Sequence, residues 1–166
     1  MVEVINHSSL NIVAGDSSFG YVGYYAKEVH TGTSKIVNKH NFLFYTFKGV
    51  NYLLGYVGVH NVTSLVLPND YNGESYEIYN YAFYNCRSLT SVEIGDSVTS
   101  IGDRAFLGCT SLTSVVIPDS VTSIGNWAFS GCTSLTIYCE AESKPNGWDF
   151  YWYYDGATVV WGHKGS

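Results

Sequence analysis

The chain has 166 residues, of which 46% are hydrophobic, 16% aromatic and 13% charged, and its formal net charge is -6. Apolar content at this level provides a core for one domain and excludes intrinsic disorder. The excess of acidic over basic residues excludes a protein that tracks nucleic-acid phosphates, and no apolar stretch reaches the ~20 residues needed to insert across a membrane.

Two segments precede the regular part of the sequence. Residues 1–12 begin with alternating apolar and polar side chains, which predicts a partial leading repeat that starts with a short strand. Residues 13–61 do not follow the spacing of the later sequence, and we interpret them as an inserted subdomain. Within this subdomain, residues 20–30 predict a short helix.

A β-hairpin is predicted in the second half of that subdomain. Residues 42–47 and 51–57 are rich in aromatic and branched apolar side chains, and the polar turn of Lys48 and Gly49 lies between them. Two such runs around a two-residue turn are typical of a hairpin. We expect the hairpin to continue the edge of the sheet formed by the following repeats. Its tyrosines make it a second candidate binding surface.

Residues 62–139 consist of copies of one 23-residue unit. Residues 89–111 read LTSVEIGDSVTSIGDRAFLGCTS, and residues 112–134 read LTSVVIPDSVTSIGNWAFSGCTS. Residues 62–88 fit the same frame if four residues are inserted in a turn, and a further copy opens at Leu135. An internal period of this length predicts a solenoid in which each unit forms one coil.

Each unit is expected to begin with a short strand and then to turn back. The leucine, valine and isoleucine of the LxxVxI pattern point inward, as do the later Ala-Phe pair and the cysteine of each unit. A single coil buries too few apolar side chains to offset the backbone entropy lost when it becomes ordered. Stacking of equivalent coils is therefore required for folding.

The unit LTSVxIPDSVTSIGxxAFxGCTS resembles the BspA-like, or treponemal-type, leucine-rich repeat of bacterial and protozoan surface proteins. The resemblance covers residues 62–139. It implies a right-handed leucine-rich-repeat solenoid, mainly β, with a parallel sheet on one face and short helical or irregular convex segments. It also implies a non-catalytic protein that is extracellular or on the cell surface and serves adhesion or recognition. Because residues 1–20 lack the segments of a secretion signal, we expect any export signal to lie outside this chain.

The tail, residues 140–166, is rich in aromatic side chains and admits two interpretations. A terminal coil would expose its apolar interior to water, so the first interpretation is an aromatic cap over the last repeat. The second is a platform that stacks on sugar rings, with Trp148 and Trp152 as candidate binding residues.

The four cysteines raise the question of a disulfide or a metal site. Cys86, Cys109 and Cys132 fall in one column of the repeat, where a free inward thiol is expected, and the alternative is one bridge between Cys132 and Cys139. The histidines share no spacing and no CxxC pair occurs, so we expect no metal or other cofactor. The carboxylates that recur lie at turns, and we expect no enzymatic activity.

A candidate binding face follows from the strand pattern. The residue between the last two inward side chains of each strand points to the exposed face of the sheet. That column holds Val66, Glu93, Val116 and Tyr138. We expect a monomer that binds a host or microbial surface protein or a glycan through this face. The alternatives are a structural spacer or cap of a larger surface protein, and a carbohydrate-binding module that uses the Trp-rich tail.

Overall fold

The computed structural model describes residues 36–59 and 61–165. These residues form a mainly β solenoid of about five turns with no helix, which confirms the repeat architecture expected from the 23-residue period. The predicted leading repeat at residues 1–12 and the predicted helix at residues 20–30 lie outside the described residues. The strands are β1 (Val37–Lys39), β2 (Phe42–Phe47), β3 (Val50–Tyr56), β4 (Ser64–Val66), β5 (Tyr76–Ile78), β6 (Ser91–Glu93), β7 (Val98–Ile101), β8 (Ser114–Ile117), β9 (Ser123–Ile124), β10 (Thr136–Cys139) and β11 (Thr158–Val160).

Five short strands stack in parallel along one side of the solenoid, in the order β11-β10-β8-β6-β4. Equivalent positions of the repeats are paired, so that Val92 lies between Leu65 and Val115. This register is required because a shift by one residue would turn every inward side chain to solvent. We call this layer the five-stranded sheet. It is the parallel sheet that the family resemblance implies.

The returning half of each coil forms a second sheet, which the sequence analysis did not predict. Strands β5, β7 and β9 pair in parallel and align Ile78, Ile101 and Ile124 in one column. The hairpin joins this layer through parallel pairing of β3 with β5, so the full order is β1-β2-β3-β5-β7-β9. The hairpin therefore extends a sheet edge as expected, and the sheet that it extends is this six-stranded one.

The third side of each coil consists of turns joined by backbone hydrogen bonds between coils. The amide of Phe83 donates to the carbonyl of Ala105 over 2.7 Å, and the amide of Phe106 donates to that of Ala128 over 2.8 Å. In a short helix these backbone groups would pair within the same segment. Here the turns pair them with the neighbouring coil instead. We call these segments the turn side: residues 79–87, 102–110, 125–133 and 149–154.

The interior contains columns of identical side chains. Phe83, Phe106 and Phe129 are fully buried, and adjacent rings in this column have centroids 5.1 Å apart. The cysteines of the same three coils form a second buried column. Residues that are 23 positions apart in the sequence are therefore neighbours in space, and they share one dry core.

The hairpin turns at the two residues that the sequence predicts. Lys48 and Gly49 have φ angles of 49° and 79°, a left-handed pair that is favoured in two-residue hairpin turns. On the inner face of the hairpin, the Phe44 ring stacks on Tyr71 with centroids 4.3 Å apart. The hairpin therefore shares the main core. A second, smaller apolar cluster consists of Ile36, Leu43, Tyr45 and Leu54.

Candidate functional site

The four residues predicted to share the exposed face lie in one column of the five-stranded sheet. Val66 pairs with Glu93, Glu93 with Val116, and Val116 with Tyr138. The structure adds Val160 as a fifth member, because this residue of β11 pairs with Tyr138. The sequence analysis missed Val160, although the β-branched residues at 158–160 are a strand signal.

This column is largely apolar and open to solvent. Val66 is 61% exposed, and Val116 and Val160 are each 37% exposed. Glu93 carries the one charge among the five side chains. Near the end of the column, the ring of Tyr138 lies 4.9 Å from the ring of His163. The column therefore offers apolar contact beside a single carboxylate, which suits non-covalent binding.

A column of hydroxyl groups runs beside the apolar column. The Ser91 hydroxyl donates to the Ser64 hydroxyl over 2.9 Å, and Ser114 pairs in register with both Ser91 and Thr136. Hydroxyl groups donate and accept hydrogen bonds, so they can match polar groups of a peptide or a sugar. We call the two columns together the sheet face: Val66, Glu93, Val116, Tyr138, Val160, Ser64, Ser91, Ser114, Thr136 and Thr158.

Trp148 and Trp152 do not lie on the surface. Each is 2% exposed. The Nε1 of Trp148 donates to the carbonyl of Val121 over 3.0 Å, and the Trp152 ring packs edge-on against Phe129 with centroids 6.1 Å apart. The prediction of a sugar-binding platform at these two residues is therefore wrong, because both rings are packed into the end of the core.

Other aromatic residues of the same region are exposed. Phe150 is 80% exposed, Tyr154 is 59%, Tyr151 is 52% and Trp127 is 42% exposed. The sequence analysis did not single these residues out. For Trp127 a signal was present, since it precedes the inward Ala-Phe pair of its repeat and so falls outside the inward columns.

A polar cleft of about 460 Å³ lies where the hairpin meets the first coil, and Glu74 and Glu77 line it. Burial raises the pKa of the Glu77 carboxyl. The buried amide of Asn51 donates to Glu74 Oε2 over 3.1 Å and to the carbonyl of Ser75 over 3.2 Å. The sequence analysis did not find this cleft, because the cleft depends on where the hairpin docks.

All four cysteines are buried and free, so the alternative bridge between Cys132 and Cys139 is absent. A hydrogen bond with Cys109 and burial together raise the pKa of the Cys132 thiol far above its ordinary value. Thiols held neutral in this way are poor nucleophiles and poor metal ligands. Among the described residues, no group of three His, Cys, Asp or Glu side chains could hold a metal ion. The same part of the chain contains no helix that could span a membrane.

Solved structures of leucine-rich repeat proteins are similar to this chain. One from Bacteroides capillosus shares 27% identity with a TM-score of 0.58, over 75% of this chain and 98% of that one. A leucine rich cell surface protein from Faecalibacterium prausnitzii shares 26% identity with a TM-score of 0.55, over 78% and 44% of the two chains. The T. pallidum leucine rich repeat protein shares 26% identity with a TM-score of 0.50, over 77% and 65%. This chain thus spans less than half of the Faecalibacterium protein and less than two thirds of the T. pallidum protein.

The repeats themselves match a known family. No curated protein matches the sequence. The model of the family described as BspA type Leucine rich repeat region (6 copies) matches residues 58–145. These residues include the stacked strands β4 to β10, so the family match and the observed coils coincide. Because the match covers more than half of the sequence, the chain belongs to the BspA-type leucine-rich repeat family.

Proposed function

We propose that this chain is a non-catalytic recognition module of a cell-surface protein, and that its sheet face binds a host or microbial surface protein or glycan. The observation that carries the proposal is the register of the five-stranded sheet. This register aligns a column that is apolar except for Glu93 with a continuous hydroxyl column, across all five strands from β4 to β11.

The geometry of the sheet face supports binding to an extended partner. Parallel strands repeat about every 4.8 Å, so five strands present a surface of roughly 20 Å along the solenoid axis. Most side chains of the sheet face lie on β6, β8 and β10, which are hydrogen-bonded to a neighbouring strand on both edges. A face that is already ordered loses little entropy on binding, and the open faces of solenoids commonly meet their partners.

Two observations support a surface role without catalysis. The similar protein from Faecalibacterium prausnitzii is described as a leucine rich cell surface protein. In this chain the four thiols are buried, and the sheet face carries one carboxylate, Glu93, with no histidine or second acid in either column. A lone exposed carboxylate lacks the partner that acid–base chemistry needs.

Binding to an array of purified host extracellular glycoproteins and their released glycans tests the proposal. The chain should bind at least one array member saturably. Val116→Asp and Tyr138→Ala should each weaken this binding about tenfold or more, because the first places a second charge in the column and the second removes its one aromatic ring. Tyr154→Ala is the matched control, since Tyr154 is exposed and lies outside the sheet face.

The outcomes separate the proposal from its alternative. Binding that survives both sheet-face variants, with their melting temperatures unchanged, contradicts a role for the sheet face. No saturable binding to any array member contradicts recognition altogether. That second result favours a spacer that holds another domain away from the cell.

A further inference from the structure

The turn side carries an unusual column of large side chains. Tyr81, Arg104 and Trp127 lie 23 residues apart, and their φ angles are 57°, 55° and 57°. Left-handed φ is uncommon for large L-residues. The conformation is held by backbone hydrogen bonds to the next coil, from the Arg104 amide to Asn126 over 2.9 Å and from the Trp127 amide to Tyr151 over 2.7 Å. The position of these side chains is therefore set by the backbone.

The Arg104 guanidinium lies between two aromatic rings. Its central carbon is 5.6 Å from the ring centroid of Tyr81 and 5.0 Å from that of Trp127. Within residues 36–59 and 61–165, no carboxylate or carbonyl accepts a hydrogen bond from this guanidinium. A fixed cation with five N–H donors thus remains available on a protein whose net charge is -6.

Two acidic residues accept backbone hydrogen bonds: Asp103, which precedes Arg104 in the sequence, and Asp149 in the tail. Asp103 Oδ1 accepts a hydrogen bond from the Asn126 amide over 2.8 Å. Asp149 Oδ1 accepts one from the Tyr151 amide, also over 2.8 Å. Both carboxylates therefore stabilise the turn side, and neither forms an ion pair with Arg104.

Two further exposed aromatic side chains lie in the tail. Phe150 is 80% exposed and Tyr151 is 52% exposed, and their rings are 4.9 Å apart. Tyr151 is joined to Trp127 by the backbone hydrogen bond described above. The rings of Phe150 and Tyr151 thus form an exposed pair, and contiguous exposed apolar surface marks interaction sites more often than isolated side chains do. We call this surface the aromatic strip: Arg104, Trp127, Phe150 and Tyr151.

We propose that the aromatic strip binds an acidic glycan, whose pyranose rings stack on the aromatic faces and whose carboxylate pairs with Arg104. The apolar C–H face of a pyranose complements an exposed aromatic face. A planar guanidinium matches a carboxylate with two parallel hydrogen bonds. One cation between rings suits the spaced carboxylates of a uronic or sialic acid glycan. The dense phosphates of nucleic acid require several cations along the binding surface, whereas the aromatic strip supplies one.

This site is distinct from the sheet face and does not depend on the function proposed for it. The aromatic strip is built from the turn side and the tail, whereas the sheet face belongs to strands of the five-stranded sheet. Variants of one surface should therefore leave binding at the other unchanged.

The test is calorimetric titration of the chain with galacturonic acid hexasaccharide and with the methyl ester of the same oligomer. A second pair of probes is sialyllactose and lactose. The acidic member of at least one pair should bind, and the affinity of its neutral counterpart should be lower by about tenfold or more. Arg104→Gln should lower affinity for the acidic probe by about tenfold and abolish the difference within the pair.

A second variant separates stacking from charge. Trp127→Asn removes the ring and keeps a residue that tolerates left-handed φ, so the turn side should fold as before. Phe150→Ser alters a side chain that is 80% exposed. Trp127→Asn should abolish binding of the acidic probe, Phe150→Ser should weaken it, and Tyr138→Ala on the sheet face should leave it unchanged. The melting temperature of each variant establishes that it is folded.

Three results would overturn the assignment. The first is that neither acidic probe binds. The second is that each acidic probe and its neutral counterpart bind equally well. The third is that Arg104→Gln and Trp127→Asn leave binding unchanged. If neither acidic probe binds but the chain binds an enzymatically deglycosylated protein, and Trp127→Asn abolishes that binding, then the strip is a protein-binding site instead.

Discussion

The rings of Phe106 and Phe129 lie 5.1 Å apart and only 3° from parallel. These residues occupy the same position in two repeats, and both are fully buried. Such parallel alignment requires that successive coils adopt the same backbone path and the same side-chain conformation. Each ring therefore packs against the equivalent ring of the next coil.

Phe106→Ala tests the contribution of this column. Because Phe106 contacts rings on both sides, its loss should lower the free energy of unfolding by about 3–5 kcal/mol. Urea denaturation followed by circular dichroism measures this change. Phe150→Ala is the control, because Phe150 is 80% exposed and should change stability by less than about 0.5 kcal/mol. Equal effects of the two substitutions would contradict the core assignment.

Trp148→Phe tests the aromatic end of the core. This substitution keeps an aromatic ring and removes the Nε1 donor, so that the buried carbonyl of Val121 loses this partner. We expect a loss of at least about 1 kcal/mol of unfolding free energy. Trp127→Phe is the matched control, since Trp127 is 42% exposed. Hydrogen exchange should show the largest loss of protection in β9 and β10, and uniform loss along the solenoid would argue against a local role.

Asn51→Ala tests how the hairpin is joined to the solenoid. The Asn51 side chain is 6% exposed, donates to Glu74 and to the Ser75 carbonyl, and accepts from the Thr46 hydroxyl over 2.7 Å. Removing it deletes three hydrogen bonds whose other partners are exposed or half-buried and can bond to water instead, so stability should fall by about 1 kcal/mol. Asn69→Ala, at an exposed position, should have little effect. A Tm for Asn51→Ala equal to that of the control would show that these hydrogen bonds do not hold the junction.

The Cys139 thiol should make stability depend on pH in the alkaline range. Burial raises its pKa from an ordinary value of 9.0 to about 12. The thiol ionises in the unfolded chain above pH 9 but remains neutral in the folded chain. Its contribution is therefore complete below pH 9 and is lost as pH rises towards 12, by about 1.4 kcal/mol per pH unit.

Urea denaturation of the native chain and of Cys139→Ala at pH 8, 9, 10 and 11 measures this contribution. The stability difference between the two proteins should be constant up to pH 9 and should then shift in favour of the variant as pH rises. A difference that stays flat across the whole range would mean that the Cys139 thiol ionises as readily in the folded state as in the unfolded one.

The period of 23 residues was sufficient to predict which side chains stack. Val92 and Val115 pair in register, and the phenylalanine and cysteine columns are buried as expected. The hairpin could also be predicted, because its turn residues adopt the left-handed conformation that its sequence favours. These predictions succeeded because packing of identical units forces equal residues into equal environments.

The period does not determine the path of the backbone between the inward residues. Ser100 and Ser123 pair in a second parallel sheet. The left-handed conformation of Arg104 and Trp127 has no sequence signal, since glycine is the residue that marks such positions. The repeat places Trp127 outside the inward columns, but its contact with Arg104, and hence the aromatic strip, could be found only from the structure.

The tail was hardest to predict because it does not repeat. Trp148 and Trp152 are buried, whereas Phe150 between them is 80% exposed. Composition identifies the segment as aromatic, but a single irregular loop decides which ring faces the core. The predicted cap and the predicted sugar platform could therefore not be distinguished by residue type alone.

The hairpin lies at one end of the six-stranded sheet and the buried tryptophans lie at the other end of the repeats, with interchangeable coils between them. Inserting another 23-residue copy after Ser111 would create only junctions that already exist, and it would lengthen the molecule by about 5 Å. Gene duplication could therefore tune the reach of such a protein in small, equal increments while both ends stay unchanged.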